Sequence, residues 1–308
     1  YIGGNDSMDT IKKLSDYAII KGYPQRFIGC PKTIDNDLAL TDHTPGYGSA
    51  AKYIGTSMKE IIRDGISMIQ PKGNVTIVEI MGRNAGWLTG ATALSKGEDC
   101  DGPDLIYLPE VPFDIQKFGE RVRDLLKNRT FVCVAVSEGI RDKDGKYICD
   151  YGDSVDFVDA FGHKQLSGTA TFLAGDIKGE IGCKTRAIEL SSMQRSASHL
   201  ASRIDILEAT QVGGAAVKAA DEGDTGKMVV LKRVSDDPYQ CSTEVKDVHR
   251  IANDEKCVPL DWITEDGSYV TDAFVSYVEP LIQGDVYPII VSGIPRHLYA
   301  PKELNHWK

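Results

Sequence analysis

A three-layered α/β fold is what the sequence predicts, on three observations. Short apolar, β-branched runs at 74–81, 104–108, 130–136 and 228–231 read as strands. Stretches of helical periodicity separate them, which implies parallel pairing through crossover connections. Polar clusters follow several of the strands, where open parallel sheets place their ligands. In chain order, Tyr1-Ile2 reads as a strand end running into Gly3-Gly4-Asn5-Asp6-Ser7. With no methionine and no leader at this start, a preceding N-terminal segment is expected. Within 49–69, Ile54, Met58, Ile61 and Ile62 share one helical face. A second helix is expected over 114–127, where Ile115, Phe118, Val122 and Leu125 repeat behind the N-cap candidate Asp114. Residues 141–152 read as a surface excursion, and the chain after Asp236 reads as peripheral.

At 308 residues the chain is long enough for two domains of roughly 150 residues each. Its 35 Lys and Arg against 45 Asp and Glu give a net charge of -10, so no global basic field attracts nucleic acid or an anionic membrane. Any anionic ligand must meet a local basic pocket. Apolar runs such as 131–136 fall far short of the roughly 20 residues that span a bilayer. The seven cysteines are odd in number and scattered, with no CxxC pair, which supports neither disulfides nor a zinc site. A reducing cytoplasm is the expected compartment. His43, His163, His199, His249, His297 and His306 show no ligand spacing, and Trp87, Trp262 and Trp307 are expected to pack in cores.

Six polar clusters carry possible chemistry. Gly3-Gly4 lets backbone approach a phosphate, and a helix beginning near Ser7 offers free amides to it; a plain tight turn is the commoner meaning of two glycines. Asp35 and Asp37, two apart in 31–37, suit a proton acceptor and a ligand for a hard cation, or an Asx-rich turn that binds only its own amides. Lys32 adds a point charge for phosphate. Arg83, directly after a strand in Met81-Gly82-Arg83, is placed to neutralise a transferring phosphoryl group. Glu138 and Glu110, each after a strand, could bond sugar hydroxyls. Arg186 and Arg195, nine apart, are expected to converge from a loop and a helix start as a phosphate clamp, although solvated arginines are commoner.

Taken in order, these clusters resemble the phosphofructokinase family from Gly3 to about Gly214. Its glycine-glycine-aspartate loop is similar to Gly3 to Ser7, its Thr-Ile-Asp-Asn-Asp signature stands at 33–37, and its Met-Gly-Arg is Met81-Gly82-Arg83. The resemblance implies two Rossmann-like lobes with mainly parallel sheets. The donor lobe would comprise 1–48 with about 204–250, the fructose 6-phosphate lobe 49–203, and 251–308 would pack on both. It further implies that Asp35 takes the proton of the 1-hydroxyl of fructose 6-phosphate, with Arg83 and Lys32 assisting. Thr33, Met81, Gly82, Arg83, Glu138, Arg186 and Arg195 would bind the sugar phosphate, with Glu110 the weaker candidate. Gly4, Asn5, Asp6 and Lys32 would bind the donor, and Asp37 with Asp6 would hold Mg2+. The family's counterpart of Arg186 reaches over from a neighbouring subunit, which implies a homodimer or homotetramer.

ATP-using members carry glycine where this chain has Asp6, and Lys32 matches the pyrophosphate-using branch. A carboxylate there repels a nucleotide α-phosphate, so pyrophosphate is the expected donor. An ATP-dependent kinase and a non-catalytic sugar-phosphate-binding subunit of the same fold are the alternatives. The chain departs from the family at Asn5, where aspartate is usual, at Ser192, where many have histidine, and at Asn74, where some have arginine. The family's first glycine-rich phosphate loop has no counterpart.

Overall fold

A computed structural model describes residues 1–68, 70–152 and 166–297. Ile69, His163, His306 and Trp307 lie outside the described residues. The chain begins with β1 (Ile2–Gly3), α1 (Asn5–Lys21) and β2 (Ile28–Pro31). Next come α2 (Tyr47–Ser67), β3 (Asn74–Ile80), the single turn α3 (Trp87–Gly90) and β4 (Leu105–Tyr107). They are followed by α4 (Ile115–Leu125), β5 (Phe131–Ser137), α5 (Thr169–Ile181) and β6 (Lys184–Glu189). The single turn α6 (Met193–Ser196) and the long α7 (Arg203–Glu222) lead to β7 (Lys227–Asp236) and β8 (Tyr239–Asp247). Last come α8 (Asp272–Val278) and a small ribbon of β9 (Ile290–Val291) and β10 (Ile294–Pro295).

Among the described residues these strands form two four-stranded sheets beside the small ribbon. One, ordered β4-β5-β3-β6, is parallel throughout, with Asn74 facing Phe131 and Ile80 facing Ser137. Every residue of β3 and β5 is buried, which is why apolar, largely β-branched residues dominate both. The period-two alternation divides them between faces. Val75 and Ile77 pack with Phe118, Val122, Leu173 and Ile177 of α4 and α5, whereas Val78 and Ile80 pack with Ile54, Met58 and Ile62 of α2. The other sheet, ordered β1-β2-β7-β8, is parallel except for its β7–β8 hairpin. The α/β fold with mainly parallel sheets is therefore present. Asp114 caps α4 as expected, its carboxylate accepting from the amides of Gln116 (3.0 Å) and Lys117 (3.1 Å).

Two expectations fail. The chain after Asp236 is not peripheral: Val258, Phe274, Val278 and Leu281 are buried in the core that holds α2, and Phe274 stacks on Trp87 at 6.0 Å. Short helical turns break up its apolar residues, leaving no period for a pattern reading to detect. Nor is 141–152 only a surface excursion, because Ile148 and Cys149 are buried there, Ile148 within the core beneath α4 and α5.

Candidate active site

Three loops, each leaving the carboxyl end of a strand, line one cleft of about 710 Å³. The first joins β1 to α1. A Cβ on Gly3 would fall 2.0 Å from Ser7 Oγ, so only glycine lets the helix start this close to the strand. Gly4 is the N-cap, and Asn5, Asp6 and Ser7 in the first turn line the cleft. The amides of that turn have no intrahelical acceptor, which makes the helix start attractive to anions. Asn5 is already engaged, its Oδ1 accepting from the Asn253 amide at 2.9 Å.

The second loop follows β2. Thr33 Oγ1 donates to Asp35 Oδ2 (3.0 Å) and accepts from the Asp35 amide (3.1 Å). Asn36, fully buried, takes the left-handed conformation (φ 56°) and its Oδ1 accepts from the Thr44 amide at 3.1 Å. Thr33 and Asn36 thus satisfy the turn, and Asp35 and Asp37 line the cleft on either side of Asn36. Burial pushes the Asp35 carboxyl up, opposed by the Thr33 hydrogen bond and by Lys32, Arg83 and Arg195. Burial, then the charge of Asp35, pushes Asp37 up to about 7. Lys32 is exposed and acts on Asp35 through its charge.

The third loop follows β3. The Met81 amide donates to Gln194 Oε1 (3.3 Å) and the Gly82 amide to Glu138 Oε1 (3.3 Å), with Gly82 at φ 147°. Glu138, just past β5, is pushed up to about 7 by burial and by the charge of Asp35, against the pull of that amide. A Cβ on Gly139 would lie 1.8 Å from the Arg83 carbonyl oxygen, so the chain crosses the arginine loop at backbone contact. Arg83 lines the cleft and an adjoining pocket of about 200 Å³, which Glu138, Ser192 and Arg195 also line.

Arg186 does not converge with Arg195 from a loop. It lies inside β6, half-exposed, paired with Asp64 at 3.2 Å and absent from the pocket lining. Glu110 is absent from the cleft lining: its Oε1 accepts from the amides of Gly86 (2.8 Å) and Val258 (2.9 Å), tying the returning chain to the loop after β3.

Several site residues carry no signal in a pattern reading. Glu79, within β3, accepts from the Ala170 amide at 2.8 Å, and burial pushes it up to about 7. Asn253 and Glu255 line the cleft from more than 200 residues beyond the second loop. Outside the cleft lining, buried His43 bridges Asp42 (2.8 Å) and Glu208 (2.6 Å), which holds it above its ordinary value despite desolvation.

Among the described residues no group of three or more His, Cys, Asp or Glu could hold a metal ion. A cation shared with substrate phosphates needs only one or two carboxylates from the protein. Asp37 fits that case, because its Oδ1 is buried with no hydrogen-bond partner. The exposed Asp6 lines the same cleft.

The phosphofructokinase family model matches residues 1–220. The chain is 43% identical over 296 residues to a pyrophosphate--fructose 6-phosphate 1-phosphotransferase of Halomonas elongata, covering 96% of this chain and 70% of the relative. It is 43% identical over 315 aligned positions to one of Xanthomonas campestris, covering 100% and 74%. The crystal structure of a pyrophosphate-dependent phosphofructokinase from Marinobacter aquaeolei superposes with a TM-score of 0.84 at 37% identity, covering 96% of this chain and 70% of that one. A family model over residues 1–220 and relatives 43% identical across nearly the whole chain leave one conclusion: the chain belongs to the phosphofructokinase family.

Proposed function

We propose that this protein transfers a phosphoryl group reversibly from pyrophosphate to the 1-hydroxyl of fructose 6-phosphate, as a glycolytic phosphotransferase. The observation that carries the choice of donor is Asp6, a carboxylate in the first turn of α1 on the cleft wall. The helix start and Gly4 attract a small anion, whereas that carboxylate repels the innermost phosphate of a nucleotide.

In this reading the sugar oxygen bonds to phosphorus as the bridging oxygen–phosphorus bond of pyrophosphate breaks, and the hydroxyl proton passes to Asp35. The Thr33 hydroxyl occupies Asp35 Oδ2 and leaves the other oxygen to face the substrate. Arg83 neutralises the transferring group, and Lys32 offsets charge on the leaving phosphate. Arg195, Met81 and Gly82 hold the sugar phosphate, with Glu138 on its hydroxyls. Arg186 faces away from its own pocket and serves a neighbouring copy, which makes the working unit a homodimer or homotetramer. Asp37, with Asp6 across the cleft, would hold Mg2+. The ion would supply charge neutralisation on the phosphates. A cytoplasmic location belongs to the same reading, in keeping with seven free cysteines.

Initial rates of the intact protein with fructose 6-phosphate and either pyrophosphate or ATP test this reading. Turnover with pyrophosphate and negligible turnover with ATP is expected. Activity with ATP alone would overturn the choice of donor, and activity with neither would leave a sugar-phosphate-binding subunit. Asp6→Gly is expected to tighten ATP as an inhibitor by about tenfold, a change of about 1.4 kcal/mol; unchanged ATP inhibition would remove the role of the carboxylate.

A further inference from the structure

The segment 253–258, far from the sequence signatures, touches every loop of the cleft. The Asn253 amide donates to Asn5 Oδ1 (2.9 Å) in the first loop, and Asn84 Nδ2, next to Arg83, donates to Glu255 Oε1 (2.8 Å) in the third. At the second loop the contact is denser. The Lys256 amide donates to the Asp37 carbonyl at 2.8 Å. Its ammonium, buried beneath the loop, donates to Asn36 Oδ1 (3.2 Å) and to the carbonyls of Thr41 (3.2 Å) and Asp42 (2.6 Å). Three donors meet three acceptors. The Lys256 carbonyl in turn accepts from Trp87 Nε1 at 2.7 Å, and the ammonium lies 5.1 Å from that ring.

We infer that Lys256 is a positioning residue for phosphoryl transfer, holding the left-handed turn at Asn36 and through it the aim of Asp35 and Asp37. Asparagine tolerates φ 56° better than other non-glycine residues, and here its side-chain amide is bonded so that the turn is held in that one conformation. Asn36 is held at both ends of its amide, by Lys256 and the Thr44 amide at Oδ1, and by the Tyr277 hydroxyl, which accepts from Nδ2 at 2.9 Å. The Tyr277 hydroxyl in turn donates to the Asp42 carbonyl at 2.6 Å, the oxygen that Lys256 also binds. Relaxing this turn moves the two carboxylates relative to each other without touching the sugar phosphate pocket. A misplacement of about 1 Å at a reacting group costs on the order of a hundredfold in rate.

The inference rests on the phosphotransferase reading, so turnover of the unmodified protein with pyrophosphate is measured first; its absence overturns that reading and this one with it. In an active protein, Lys256→Met is expected to lower kcat by about 10- to 100-fold with the KM for fructose 6-phosphate within about threefold. Tyr277→Phe, which removes one hydroxyl, is expected to lower kcat by about three- to tenfold with KM held in the same way. Asn36→Gly keeps the left-handed conformation but loses the amide that Lys256 grips. On that background Lys256→Met is expected to add less than about threefold. Should Lys256→Met fail to fold, Tyr277→Phe decides by the same split between kcat and KM. Unchanged kcat in a folded variant, losses that multiply fully in the double variant, or KM rising in step with the fall in kcat would overturn the inference.

Discussion

The two sheets meet at one cleft but are assembled over different spans of chain. The β4-β5-β3-β6 sheet takes all its strands from Asn74 to Glu189, with α2 on one face and α4 and α5 on the other. The β1-β2-β7-β8 sheet joins Ile2 to Asp247, and its outer strand β8 alternates partly buried with exposed residues. The side of the cleft lined by Met81 to Ala85 is thus built from local crossovers, whereas the side lined by Gly4 to Ser7 belongs to a sheet that depends on chain returning from far downstream. Long-range closure of that kind carries the larger entropic cost, and the ties from 253–258 to Asn5, Asp37, Asn84 and Glu110 act against it.

The comparison is broken most directly at the second loop. Asp35→Ser is expected to lower turnover by about 10²- to 10⁴-fold while fructose 6-phosphate binding, read by calorimetry, stays within a few-fold. Near-normal turnover would mean that the proton goes elsewhere. If the returning chain is integral to the fold, Phe274→Ala costs about 3–5 kcal/mol in denaturant unfolding, because a fully buried ring against Trp87 is lost. A cost below about 1 kcal/mol would mark 251–297 as an appendage after all.

A smaller effect sharpens the picture inside the local sheet. Glu79 is pushed up to about 7 from an ordinary 4.5, so between those values the folded chain holds a proton that the unfolded chain releases. Its contribution is full below 4.5 and is lost as pH rises through 7. Glu79→Gln, which keeps an oxygen for the Ala170 amide, is expected to gain stability over the parent at pH 8 relative to pH 5 by roughly 2 kcal/mol. An equal effect at both pH values would show Glu79 ionised throughout.

The difference between the sheets also sets what could be read from the chain. Buried parallel strands such as β3 and β5 announce themselves as apolar runs, and α2 and α4 by their periodicity. The cluster at 33–37 was legible because turn chemistry and paired carboxylates occur together over a few residues. β2 and β6 were missed, the first being only four residues long and the second half-exposed. Arg186 was placed in a loop because β6 alternates charged and apolar residues too weakly to read as a strand. Lys256, Glu255 and Asn253 had no local signal at all, since their meaning lies entirely in partners brought together by folding.

Gly139 sets a limit on redesign. With the Arg83 carbonyl 1.8 Å from where its side chain would begin, no residue larger than hydrogen fits at this crossing unless the arginine backbone retreats. Any side chain introduced there would push Arg83 out of its place on the cleft wall, so the chain after β5 and the arginine loop cannot be altered independently.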